Sequence, residues 1–370
     1  MRMEKEKEKK RANNDLPREI IELILSLFPV KSLMRFRCVS KAWYALLDDP
    51  AFVDRHFNNQ SMERNCLNKS AIFLDPLNSI YSLDFETLNS RVIDNPLKTW
   101  VSGMSGISFW GSCNGLVLIT SSENNCLWNP ATQKHKMLPT ALFEEKPVMN
   151  IYGFGYNATL QDYEVVNIGS LSNCFEVGVY SVKRNSWRRI QDFPYGIPFR
   201  WEGAFTNGAV HWVAQRSRKN GLSLNSAIIA YDVGGESFRE LAYPDNTFDS
   251  SCRLRVAILD GNLCLVSSGE ASFELWVMKE YGARESWTKL FIIGRLSIGI
   301  EFRTSTFLLP LCFLNKGATL VLSNKSNLYF FELKTQTLKR RQFAPTRDGH
   351  KYLGSYCCQA TDYSESLVAV

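Results

Sequence analysis

Four histidines, at 56, 135, 211 and 350, and ten cysteines are the side chains of this 370-residue chain best suited to nucleophilic, acid–base or metal chemistry. A structural zinc site needs thiolates or imidazoles in closely spaced pairs. The cysteines, at 38, 66, 113, 126, 174, 252, 264, 312, 357 and 358, form no Cys-x-x-Cys pair and have no histidine pair near them. Several sit between apolar neighbours, as in Leu263-Cys264-Leu265, a core-packing pattern. His211 lies in a strand pattern, Val210-His211-Trp212, and reads as a satisfied core or edge residue, while His135 reads as part of a turn. No histidine stands in a nucleophile or zinc motif. Gly153-Phe154-Gly155-Tyr156-Asn157-Ala158 superficially mimics a dinucleotide fingerprint, but that fingerprint opens a helix and Tyr163 to Ile168 reads as strand. Glu144 and Glu145 lie beside Lys146 in a loop and read as solvated surface. No catalytic residue, metal or cofactor is expected.

Composition narrows the classes further. Hydrophobic residues make up 45% of the chain and charged residues 22%, ordinary for a globular protein able to bury a large core. The net charge is +6, and residues 1–11, with six Lys/Arg against three Glu, carry half of it. Residues 1–14 read as a disordered charged tail. The remaining charge is diffuse, with no Lys/Arg stripe interleaved with aromatics, so nucleic acid is not an expected partner. No apolar signal core follows Met1. The longest apolar span, Thr306 to Leu314, is interrupted by Pro310 and falls well short of the ~20 residues a membrane helix needs. A cytosolic or nuclear location without membrane association is expected, with reduced thiols.

Residues 15–57 form a compact helical pattern. Asp15 is a candidate N-cap and Pro17 fits a first turn. Ile20, Ile24 and Leu27, with Leu23 and Phe28 beside them, follow a 3.6-residue period that Pro29 ends. A second helix begins near Val30 or Lys31, a third covers Lys41 to Leu47, and Pro50 opens a short turn holding Phe52 and Phe57. A module of about 40 residues cannot hide this much apolar surface by itself. Two destinations are open: a partner protein gripping Leu16, Pro17, Ile20 and Ile24, or the domain that follows.

The run Leu16-Pro17, then Ile24 to Leu33, then Arg35-Phe36-Arg37-Cys38-Val39-Ser40-Lys41-Ala42-Trp43 resembles the F-box motif in its plant form, with Phe28 where Leu is usual. The resemblance implies binding to a Skp-type adaptor, and through it to a cullin and the ubiquitin-transfer machinery. It places adaptor contacts at Leu16, Pro17, Ile20, Ile24, Leu27, Pro29, Val30, Leu33, Cys38, Val39 and Trp43.

After a polar linker, residues 58–69, the period changes to that of strands. An aromatic-ended strand, a polar turn and a second strand recur from Tyr81, Trp128, Tyr180, Tyr231, Trp276 and Phe331, about 45 to 55 residues apart. A tight turn and an apolar strand precede the later copies, at Cys113-Asn114-Gly115, Asn207-Gly208, Asp260-Gly261 and Asn315-Lys316-Gly317. Four strands per ~50 residues is the content of a kelch-like blade. The expected fold is α+β and multi-domain: a small N-terminal helical module, then an all-β propeller of about six blades over residues 70–370. Ala71 to Ile93 and residues 356–370 are expected to share one blade and close the ring.

Gly111 to Val117, Trp128 to Thr132, Tyr152 to Tyr156, Asp162 to Val166, Val179 to Ser181 and Ser186 to Arg188 together resemble the plant F-box-associated domain. That implies a module binding an unidentified target protein, and so a substrate-recognition subunit of a Skp–cullin–F-box ubiquitin ligase that is not itself an enzyme. Propellers bind through loops, and aromatics and Arg dominate hot spots, so Phe193, Tyr195, Phe199, Arg200 and Trp201 are the expected target contacts, with the loops at Pro139 to Asn150 and Tyr243 to Arg253 behind them. Two alternatives stand beside this reading. The first helices are also similar to those of pollen S-locus F-box proteins, which recognise style ribonucleases in self-incompatibility. A different class would be a ligand-sensing or enzymatic propeller whose F-box controls its own turnover.

Overall fold

The computed structural model describes residues 16–370 apart from 63–68, 75–78, 86, 88, 99–105, 123, 142, 144, 173, 197–201, 216–225, 245–247, 249–251, 295–306, 325–326 and 343–359. Among the described residues four helices come first: α1 (Arg18–Ser26), α2 (Val30–Phe36), α3 (Lys41–Leu47) and α4 (Pro50–Met62). The prolines set the corners. Pro17 and Pro29 hold extended backbone just before α1 and α2 without any side-chain cap, and Ser40 caps α3 by accepting from the Trp43 N–H. Asp15, expected to cap α1, lies outside the described residues. The short turn expected at Pro50 is instead a 13-residue helix that runs through the first residues of the expected linker. Its apolar period is weak, but it is tied to α1: Arg55 Nη1 donates to Glu22 Oε2 at 3.1 Å and Asn59 Nδ2 to Ser26 Oγ at 3.1 Å.

The rest is a ring of six four-stranded antiparallel sheets. The first blade holds β1 (Lys69–Leu74), β2 (Ile80–Asp84) and β3 (Ser90–Ile93), and the second β4 (Ser108–Cys113), β5 (Leu116–Thr120), β6 (Asn125–Trp128) and β7 (His135–Leu138). In the third are β8 (Met149–Asn157), β9 (Asp162–Ser170), β10 (Phe175–Ser181) and β11 (Ser186–Arg189); in the fourth, β12 (Ala204–Thr206), β13 (Ala209–Gln215), β14 (Ser226–Asp232) and β15 (Ser237–Leu241). The fifth contains β16 (Arg253–Leu259), β17 (Asn262–Ser268), β18 (Ser272–Met278) and β19 (Trp287–Gly294), and the sixth β20 (Leu309–Leu314), β21 (Thr319–Asn324), β22 (Asn327–Glu332) and β23 (Thr337–Gln342). A last strand, β24 (Ala360–Ser364), returns to the first blade and pairs with β1, so the sheet order there is β24-β1-β2-β3. The ring closes as expected, through both ends of the repeat region.

Every aromatic that leads a sequence repeat falls on the third strand of its blade: Tyr81 on β2, Trp128 on β6, Tyr180 on β10, Tyr231 on β14, Trp276 on β18 and Phe331 on β22. The Asn-Gly and Asp-Gly pairs turn the first strand into the second, with both residues at positive φ (Asn114 51° and Gly115 84°, Asp260 48° and Gly261 79°). His135, expected in a turn, opens β7. Apolar clusters lie between blades rather than within them; the second and third, for example, share Leu116, Leu118, Tyr152, Phe154 and Tyr180. Strands pressed on both faces need apolar residues on both, as in β14, where Ala227 to Tyr231 are all buried. No helix among the described residues is long and apolar enough to cross a membrane.

Candidate functional site

The helical module has a core of its own, made of Leu25, Val30, Leu33, Leu46, Leu47 and Phe52. Helix α1 contributes Leu25, 1% exposed, to that core, and Ile21 packs against it. Its opposite face is just as apolar and faces solvent: Leu16 is 57% exposed, Ile20 42%, Leu23 54%, Ile24 42% and Leu27 64%. Phe28 continues the stripe, edge-on to Phe36 at 5.4 Å, and Phe36 in turn meets Trp43 at 5.7 Å. Val39 and Tyr44 are exposed farther along. A surface helix ordinarily carries one apolar stripe. This one carries two, and a contiguous exposed apolar patch marks an interaction surface.

The ridge is held from below. His56 is buried, and its Nε2 lies 2.9 Å from the carbonyl oxygen of Phe28, pinning α4 to the corner that ends α1. Burial depresses the His56 pKa, outweighing that hydrogen bond. Arg37 lies over the Tyr44 ring, 4.5 Å from its centroid, and bonds Asp48.

The module also sits on the ring. Lys31 Nζ reaches Asp84 of the first blade at 3.1 Å and Glu365, just past β24, at 3.2 Å. Burial lowers the Lys31 pKa, but the two carboxylates outweigh it and the net shift is upward. Lys134, in the β6–β7 turn, meets Asp48 at 3.0 Å. Leu367 is buried in the helical core, and Val53 packs against the cluster of the second and third blades. Of the two destinations left open by the sequence, the domain that follows receives one face of the module, while the outer stripe of α1 stays exposed.

The helical ridge and the six-bladed ring each match a known family. Residues 14–55 match the family model described as the F-box domain, and residues 74–370 match the F-box associated beta propeller domain. The chain belongs to the F-box proteins with an associated β-propeller. Among relatives in Arabidopsis thaliana, F-box protein CPR1 is 28% identical over 355 residues, covering 87% of this chain and 83% of the relative. F-box/kelch-repeat protein At3g23880 is 28% identical over 335 residues, covering 86% and 88%.

The F-box positions named from the motif divide in two. Leu16, Pro17, Ile20, Ile24, Leu27, Pro29, Cys38 and Val39 are exposed, and Trp43 is half-buried. Val30 and Leu33 are not on the surface: at 2% and 0% exposure they belong to the module's core, because each starts or sits on the inward face of α2. In the free chain both pack beneath the ridge. Leu23, Phe28 and Tyr44 are exposed apolar positions absent from the motif-based set.

The expected target surface needs a similar correction. Phe193 is buried between the third and fourth blades, touching Phe175 at 6.4 Å, Tyr195 at 5.4 Å and Phe238 at 5.2 Å between ring centroids. It is a core aromatic that happens to lie in a connector. Tyr195 is half-buried against the same cluster. Phe199, Arg200 and Trp201 lie outside the described residues. Phe193 and Tyr195 precede β12, on one of the connectors that join the last strand of one blade to the first of the next. In antiparallel blades these open on the face opposite the first-to-second and third-to-fourth turns. The F-box sits at the latter turns, through Lys134 and Asp84.

His211 is fully buried, with Nδ1 2.9 Å from the Ala204 carbonyl and Nε2 2.7 Å from the Tyr281 hydroxyl, and burial pushes its pKa down to about 4. It is a satisfied core histidine, as its strand pattern suggests. Gly153 and Gly155 are strand residues of β8, and a Cβ on either would strike the fourth blade, at 2.4 Å from Trp212 and 2.3 Å from Phe205. The apparent nucleotide fingerprint is a packing seam.

Proposed function

We propose that this chain is the substrate-recognition subunit of a Skp–cullin–F-box ubiquitin ligase, docking a Skp-type adaptor through the α1 ridge and presenting a target protein held by the propeller. The observation that carries the reading is the second apolar stripe of α1, left open although the first is fully used. The chain supplies proximity and no chemistry of its own: a tethered target lysine meets the ubiquitin donor at high effective concentration. The target surface is the ring face away from the F-box, where the blade-to-blade connectors open. A cytosolic or nuclear setting fits the free thiols of Cys38, Cys113, Cys126, Cys252 and Cys264.

Co-purification from cells tests this. The wild-type chain is expected to bring down Skp-type adaptor and cullin, and Leu16→Asp combined with Pro17→Ala to bring down neither. A complex that survives that pair of substitutions would contradict the reading. Proximity labelling with a variant lacking residues 16–57 traps targets instead of consuming them, and its catch separates style ribonucleases from other proteins.

A further inference from the structure

We infer that residues 365–370 are a structural part of the F-box, and that Leu367 is a positioning residue for the adaptor ridge. The inference rests on the ligase reading only for what the ridge binds. Leu367, 6% exposed, lies in the same apolar cluster as Leu25, Val30, Leu33, Leu46, Leu47 and Phe52. All six of those come from the helices, so a residue more than three hundred positions away completes the module's core. Ile21 and Leu25, the inward side of α1, pack in that cluster, and Ile20 and Ile24 stand beside them on the outward side. What backs α1 sets where the ridge points.

The segment is fixed on both sides of Leu367. The Asn129 amide donates to the carbonyl oxygens of Ser366 at 3.1 Å and Val368 at 2.8 Å, gripping the residues that flank it. The Asn129 Oδ1 accepts from the backbone of Ala131 and Thr132, so the gripping side chain is itself held. Ser366 Oγ donates to the Asn114 carbonyl at 2.7 Å, and the adjoining Gly115 leaves the room: a Cβ there would lie 2.2 Å from Ser366 Oγ. Glu365, buried, accepts from Lys31 of α2 at 3.2 Å and from Ser70 of β1 at 3.3 Å. Ser364, immediately before, ends β24, whose pairing with β1 closes the ring. The strand that closes the propeller thus delivers Leu367 to the F-box. Ring closure and the order of the ridge are linked, and by reciprocity whatever stabilises one stabilises the other.

The test is amide hydrogen exchange on the full-length chain as wild type, Leu367→Ala and Leu367→Met, with titration of a purified Skp-type adaptor as a second readout. Truncating a buried Leu to Ala commonly weakens its surroundings enough to speed local exchange about 30-fold or more. The expected result is acceleration of that order in residues 18–26 and 41–47, no change in β14, and recovery with Leu367→Met, which conserves volume. Adaptor affinity is expected to fall about tenfold in Leu367→Ala and to return in Leu367→Met. Exchange in the helices unchanged by Leu367→Ala would overturn the inference. So would equal acceleration in β14, because the segment would then serve the ring as a whole. Failure of the wild-type chain to bind adaptor, with the exchange pattern as expected, would overturn the ligase reading and leave the structural assignment of Leu367 standing.

Discussion

Ile20 and Leu25 are both aliphatic, five residues apart on α1, yet one faces solvent and the other is fully buried. Periodicity in the sequence shows that α1 is a helix with too much apolar surface, but it does not say which stripe points inward, because both satisfy the same period. That is why Val30 and Leu33 read as contacts from the motif and prove to be core. His211 was legible as a core residue from Val210 and Trp212, whereas Tyr281, 70 positions away, could not be read as its partner. Its depressed pKa has a consequence for stability. Above the unfolded value of about 6.5 the imidazole is neutral in both states and its full contribution is present. As the pH falls toward about 4 the unfolded chain gains a proton that the folded chain refuses. Over that window the stability loss from this group is about 3 kcal/mol, and His56, shifted the same way, adds to it. Thermal melts at pH 7.5 and 5.0 are expected to show the drop, and His211→Phe, whatever its own cost, to flatten the slope.

Elements were more legible than their ends. The bounds of α3 and the tight turns at Asn114-Gly115 and Asp260-Gly261 follow from local chemistry, so the sequence carries them. Helix α4 was missed because its hydrophobic pattern is weak; it is helical through its ties to α1, by Arg55 and Asn59, which are tertiary. In β8 the glycines serve packing, a role that the sequence alone does not show. Spaced by two, they lie on one face of the strand, and the rings of Phe205 and Trp212 fill the place where side chains would be. Gly155→Ala is expected to destabilise the chain by about 1–3 kcal/mol, read as a lower urea midpoint with unchanged slope. A variant of wild-type stability would show that the seam between the third and fourth blades relaxes freely.

At the scale of the whole molecule, six blades and a closing strand shared between the two ends were readable from repeats at about 50 residues. What no repeat could show is how the helices meet the ring. That contact depends on Lys31 with Asp84 and Glu365, on Lys134 with Asp48, and on Leu367, pairs separated by tens to hundreds of residues. Its result is a molecule with two distinct faces: the F-box covers turns on one side, and the connectors open on the other. One apolar stripe of α1 is spent on the ring-bound core, and the other, on the function proposed, is kept for an adaptor. Calorimetric titration of a purified Skp-type adaptor into the full-length chain, at several temperatures, tests this most directly. The account predicts a one-to-one complex with a clearly negative heat-capacity change, the mark of apolar burial. It also predicts loss of binding in Ile20→Asp plus Ile24→Asp at little cost to folding, since both side chains are already exposed. Binding that persists in that variant, or that proceeds with no heat-capacity change, would contradict it.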